Sequence, residues 1–377
     1  MYKPSVTYRI QFNKNFTFKH LNEIIPYLKE LGIDTLYASP IFTAVPGSTH
    51  GYDGISPLQI NPEIGTEAEL FALSDKLRKH GIGWLQDIVP NHMAFHPNNA
   101  WLMDVLTNWD QSPYFSFFDI NFPTQLNDQR LMVPFLGVPL AKAISSGKIK
   151  LAEKNNNLYL THGDDHWPIN KSSLQTILSA YPAFASLHKS DPSNFEYKNH
   201  LAVLNKNTEL LLEIANQQYY RLCDWKETDT QINYRRFFTV NSLICLNIQN
   251  EAVFDAYHQY IIRLVKKGVF QGLRIDHIDG LADPKTYLER LRKAAGKDCY
   301  LVVEKILGAE EQLPSDWPIE GTTGYDFLAV VNNLLTNIQA EEPFNKLYRE
   351  FIDKNLNPAA QTTLKKQNIL YKHMQGN

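Results

Sequence analysis

Cysteine is scarce: Cys223, Cys245 and Cys299 are the only three in 377 residues. They are far apart, odd in number and without CxxC spacing, so neither a disulfide framework nor a cysteine zinc site is expected. No stretch approaches the run of about 18 apolar residues that a membrane span requires. The N-terminal MYKPSVTYRIQF lacks the long apolar region of a secretory signal. Charge of one sign is not in excess either: 37 Lys and Arg stand against 40 Asp and Glu, for a formal net charge of −3. That balance argues against a nucleic-acid or polybasic membrane partner, and a reducing cytoplasm is the default expectation.

Hydrophobic residues make up 44% and charged residues 20%, an ordinary globular balance with room for one large domain or two. Aromatics reach 12%. They either enlarge the core or line a groove for a flat ligand such as a sugar.

The first hundred residues alternate strand and helix: strands at 6–12, 33–41 and 82–90, amphipathic helices at 18–32 and 67–81, each helix stopped by glycine. Such alternation implies right-handed βαβ units and a parallel sheet. Near-continuous apolar strands imply burial on both faces. From 93 to 235 the rhythm is lost, and we expect an inserted subdomain of helices and one small hairpin around the Asn-rich turn at 155–157. The βα rhythm returns with GLRIDHI (272–278), a helix at 284–296 and CYLVVEKIL (299–307). The expected division is a first barrel part at 1–92, an insert at 93–235, a barrel continuation at 236–331 and a helical tail at 332–377.

Four clusters carry chemistry. In GLRIDHIDG (272–280), strand alternation puts Arg274 and Asp276 on one face. The guanidinium favours an ionised Asp276 with a lowered pKa, as a nucleophile needs. The bland alternative is a structural ion pair. In YLVVEKIL, Glu304 follows aliphatic residues, and burial is expected to keep it protonated. Against that stands a surface Glu304–Lys305 pair. Asp87, Asn91 and His92 end the third strand, and His50, Tyr52 and Asp53 sit in a glycine-flanked turn. In a (β/α)₈ barrel all four would gather at the C-terminal face of the strands.

DIVPNH, GLRIDHIDG and VVEKIL resemble three sequence regions of the α-amylase family, glycoside hydrolase family 13. With PGSTHGYDG, NYRRFF (233–238) and GTTGYDF (321–327), the chain is similar to the branch that converts the reducing-end α-1,4 linkage of a maltooligosaccharide to an α,α-1,1 linkage, the maltooligosyl trehalose synthases. The resemblance implies a TIM barrel of the α-amylase type, here with about five to six strands and a subdomain after strand 3. It implies Asp276 as nucleophile and Glu304 as general acid/base. Arg274 would hold Asp276, Tyr52 would stack on the sugar, and His92 would bond its hydroxyls. Asp53 and His277 would be neighbours in substrate binding, with Asp87 in support. No metal or other cofactor is implied; the partner is a glucan substrate.

One departure stands out. The family uses a third carboxylate from a later strand, and after Glu304 the chain offers only Asp316, Asp326 and Asp353 as aspartates, none in a matching motif. The expectation is therefore the N-terminal half of such an enzyme, with an incomplete centre, unless a separate chain completes the barrel. Two other readings stand beside it: another α-amylase-family glycosidase, and a non-catalytic remnant.

Overall fold

The computed structural model describes residues 2–120, 128–190, 194–308, 310–352 and 357–374. Its centre is a six-stranded sheet whose pairings are all parallel. In spatial and chain order the strands are β1 (Thr7–Ile10), β2 (Thr35–Ala38), β3 (Gly83–Ile88), β4 (Gly272–Ile275), β5 (Tyr300–Val303) and β6 (Gly321–Thr322). Six parallel strands, the first five joined through helices, make the sheet a portion of a (β/α)₈ barrel. Within the described residues β1 and β6 are its edges.

Every residue of β3 and β4 is buried, the pattern of a parallel sheet covered on both faces. The connecting helices are α1 (Phe18–Glu30), α2 (Glu67–Lys79), α3 (Glu251–Lys266) and α4 (Pro284–Ala295). Local sequence sets their starts. Thr66 accepts from the Glu69 amide while Glu69 reaches back to the Thr66 amide at 2.7 Å, a reciprocal cap. Asp283 caps α4, and Pro284 occupies its first turn, where its missing N–H is not needed.

Between β3 and β4 the chain makes a long excursion. It includes the antiparallel hairpin Ile149–Lys154 and Asn157–His162, whose turn residues Asn155 and Asn156 take positive φ. A third strand, Asp165–Pro168, extends that hairpin. The segments His92–Ala94 and Leu243–Cys245 pair antiparallel next to the ends of β3 and α3. All three cysteines are buried and unpaired. The last helices, α5 (Tyr325–Leu334), α6 (Glu341–Phe351) and α7 (Pro358–His373), contain no buried residue. Among the described residues no helix is long and apolar enough to cross a membrane.

Candidate active site

The C-terminal ends of the barrel strands open into a cavity of about 760 Å³. Strand register builds its floor. Arg274 lies opposite Asp87 on one side, and Ile275 opposite Val303 on the other. Asp276 and Glu304 are therefore the first residues beyond two neighbouring strands. The Asp276 and Glu304 amides donate to the carbonyls of Ile88 and Ile275, which extends the ladder one step and fixes both side chains at the cavity.

One guanidinium serves three carboxylates. Arg274 Nη1 donates to Asp87 Oδ1 at 2.9 Å and Asp276 Oδ1 at 2.5 Å, and Nη2 lies 3.1 Å from Glu304 Oε1. Asp87 is fully buried, and it also accepts from Tyr52 Oη at 2.7 Å and Tyr37 Oη at 3.1 Å. Glu304 accepts from the His277 amide at 2.9 Å and from Tyr325 Oη at 3.3 Å.

This sharing reverses the expected electrostatic division. Burial pushes the Asp276 carboxyl up to about 7, with Arg274 opposing and the charges of Asp87 and Glu304 adding to the rise. Burial also acts upward on Glu304, but Arg274, the His277 amide and Tyr325 outweigh it, so Glu304 lies below its ordinary value. Two facts decide the reversal. The Asp276 side chain is 9% exposed and the Glu304 side chain 23%. Glu304 also collects donors beyond Arg274, whereas Asp276 must share Arg274 with two anions. Burial raises Asp87 as well, so the carboxylates titrate as a group rather than as independent sites.

Of the expected site residues, Tyr52, His92, Arg274, Asp276, His277 and Glu304 line one cavity, and Asp53 does not. Asp53 accepts from Ser48 Oγ at 2.5 Å and lies 3.8 Å from His50. It holds the turn that presents Tyr52. His92 Nε2 meets the Tyr52 carbonyl at 3.1 Å, and burial lowers its pKa to about 4. Lys305 does not pair with Glu304. Its ammonium lies 3.0 Å from Asp279 and 2.7 Å from Glu311, tying together the loops after β4 and β5.

Sequence patterning left out Arg9, Tyr37, Phe237 and Tyr325, all of which line the cavity. The signal for Phe237 and Tyr325 lay in NYRRFF and GTTGYDF, which were singled out without roles; Arg9 and Tyr37 lie within β1 and β2, where nothing in the local pattern marks them. Asp326 itself accepts from Thr322 Oγ1 at 3.0 Å and stands at the start of α5, beside Tyr325. The carboxylates lining the cavity are Asp276, Asp279 and Glu304. Asp316 is bound by Lys285 at 2.6 Å on the surface, and Asp353 lies outside the described residues. Among the described residues, no cluster of three or more His, Cys, Asp or Glu could hold a metal.

Residues 17–184 match the family described as "Alpha amylase, catalytic domain". A Mycobacterium tuberculosis protein assigned as a maltooligosyl trehalose synthase is 35% identical over 348 residues, covering 90% of this chain and 40% of that protein. The solved structure of DSM5389 glycosyltrehalose synthase shares 39% identity, with a TM-score of 0.86 over 98% of this chain and 47% of its own. The maltooligosyltrehalose synthase from Arthrobacter ramosus shares 30%, with a TM-score of 0.83 over 99% and 44%. The chain thus spans less than half the length of these relatives. Each of those two structures holds the matching portion within one longer chain, which gives no support to a separate chain completing the barrel. The chain is thus similar to the maltooligosyl trehalose synthases over most of its length, with the α-amylase match confined to residues 17–184.

Proposed function

We propose that this cavity transfers a glycosyl group within one α-1,4-glucan molecule, turning its reducing-end α-1,4 linkage into an α,α-1,1 linkage. The observation that carries the proposal is the pair Asp276 and Glu304, set at adjacent strand ends in one cavity and bridged by Arg274. Two carboxyls flanking one bond are the machinery of retaining glycoside chemistry.

Glu304 gives its proton to the last glycosidic oxygen. The bond from that oxygen to the anomeric carbon breaks, and an Asp276 oxygen bonds to the carbon. The freed terminal glucose stays and turns. Its own anomeric hydroxyl then attacks the same carbon, the bond to Asp276 breaks, and Glu304 takes the hydroxyl proton. Two inversions retain the α configuration.

The reaction needs the proton on Glu304, although burial and the sharing of Arg274 favour it on Asp276. A glycosidic oxygen only accepts hydrogen bonds, so its arrival against Glu304 favours a protonated Glu304 and an ionised Asp276. Water must be kept out, since water attacking the intermediate gives hydrolysis.

Product analysis on maltopentaose tests the reading. Reducing sugar falls in the isomerisation and rises in hydrolysis. A second readout does not depend on complete turnover: an activated α-glucosyl fluoride should leave a covalent adduct on the peptide containing Asp276. An adduct on a different residue would remove Asp276 from the role.

A further inference from the structure

The NYRRFF segment carries an oddity that the two-carboxylate chemistry does not explain. Phe238 is 64% exposed and holds a left-handed backbone, φ 51°. A bulky side chain in that region is strained, and such residues persist where the surroundings enforce them. The segment is tied on both sides. Arg235 lies 2.6 Å from Asp119 and donates to the Gly280 carbonyl at 2.7 Å. Arg236 donates to Asn241 at 2.6 Å. The Phe237 amide donates to Leu243 and the Val240 amide to Phe237, closing the turn around Phe238.

The enforced conformation puts an aromatic ring on the cavity wall. The Phe238 ring lies 4.4 Å from Phe237 and 5.1 Å from His277, centre to centre. His277 in turn holds Glu304 through its amide. Phe238 is therefore one ring contact away from the residue that holds Glu304. Tyr52, bound to Asp87, is reached from Phe238 through Phe237 and His92, whose rings lie 4.3 Å apart; His92 Nε2 meets the Tyr52 carbonyl.

We propose that Phe238 is an aromatic platform on which the leaving glucose stacks. The assignment rests on the glucan reading of the cavity. A general acid must reach the leaving oxygen, so the leaving sugar lies on the Glu304 side. A sugar ring presents a flat face of C–H groups that suits an aromatic face. Such contact has no fixed direction about the ring normal. A glucose held this way can turn to present its anomeric hydroxyl without leaving, where a set of hydrogen bonds would lock it in its first orientation. The ring also covers apolar surface that water would otherwise reach.

Calorimetric binding of maltopentaose to this chain, paired with thermal unfolding, tests the assignment. Phe238→Gly removes the ring and accepts the left-handed backbone without strain. It should melt at or above the temperature of the unmodified chain and bind maltopentaose about tenfold more weakly. Phe238→Trp should keep most of the affinity. Unchanged affinity in Phe238→Gly overturns the platform, as does a fall in melting temperature that accounts for the loss. If the unmodified chain binds no maltopentaose at all, the glucan reading fails first and takes this assignment with it.

Discussion

The backbone amide of His277 donates to Glu304 Oε2 at 2.9 Å, so the residue after the proposed nucleophile holds the proposed acid/base. His277 makes this bond from a left-handed conformation, φ 48°. Gly280 makes room for its ring. A Cβ at Gly280 would fall 2.3 Å from His277 Cδ2 and 2.6 Å from Asn91 Oδ1. We expect Gly280→Ala to destabilise the chain by about 1–3 kcal/mol through overpacking. Urea unfolding measures it, and a neutral result would mean that the turn yields freely.

The raised Asp276 carboxyl sets a pH dependence. Its pKa of about 7 lies above the value of about 3.9 in an unfolded chain. Between those values the folded state binds more protons, so stability falls as pH rises through that window. Asp276→Asn should flatten this slope. Carboxyl NMR should show one resonance titrating near neutrality that the variant lacks; a full set of carboxyls titrating below pH 5 would remove the basis for the expectation.

Among the described residues Arg274 is the one cation bridging Asp87, Asp276 and Glu304. Arg274→Met leaves buried carboxylates unpaired, and the loss should reach about 3–5 kcal/mol. It should be larger at pH 8 than at pH 5, because protonation relieves the repulsion. Urea melts at the two pH values decide it, and equal losses would show that the carboxylates are not charged.

His92 is held neutral by burial, with a pKa of about 4. Its ring proton resonances should not move between pH 8 and pH 5. Since the unfolded value is near 6.5, the lowered pKa contributes stability that declines as pH falls below that value. A His92 titration near 6.5 would place the ring in water.

Two substitutions separate the chemical roles in a form that turns over maltopentaose. Asp276→Asn should lower turnover by several orders of magnitude, because no covalent intermediate forms. Glu304→Gln should recover glycosyl-enzyme formation with a glycosyl fluoride, whose leaving group needs no acid. Equal losses on natural and activated substrates would exclude Glu304 as the acid.

Local pattern was enough for β1 to β5, their helices and the hairpin turn at Asn155 and Asn156, but not for the two-residue β6. Each depends on short-range periodicity, capping and turn chemistry, which a linear sequence carries. Asp276 and Glu304 were legible for the same reason, since each stands just past an apolar strand. Which carboxyl holds the proton was not. Arg274 and Asp276 are two residues apart, and that spacing suggests an exclusive pair. Asp87 and Glu304 reach the same guanidinium only through strand register across the sheet. Asp53 illustrates the converse: it sits next to Tyr52 in sequence, yet the turn directs it to Ser48 and away from the cavity. Arg9, Tyr37, Phe237 and Tyr325 come from four distant segments that converge only when the sheet curls. A residue's neighbours along the chain determine its element, but its electrostatic partners are set by long-range packing, so proton placement was decided by the tertiary structure alone.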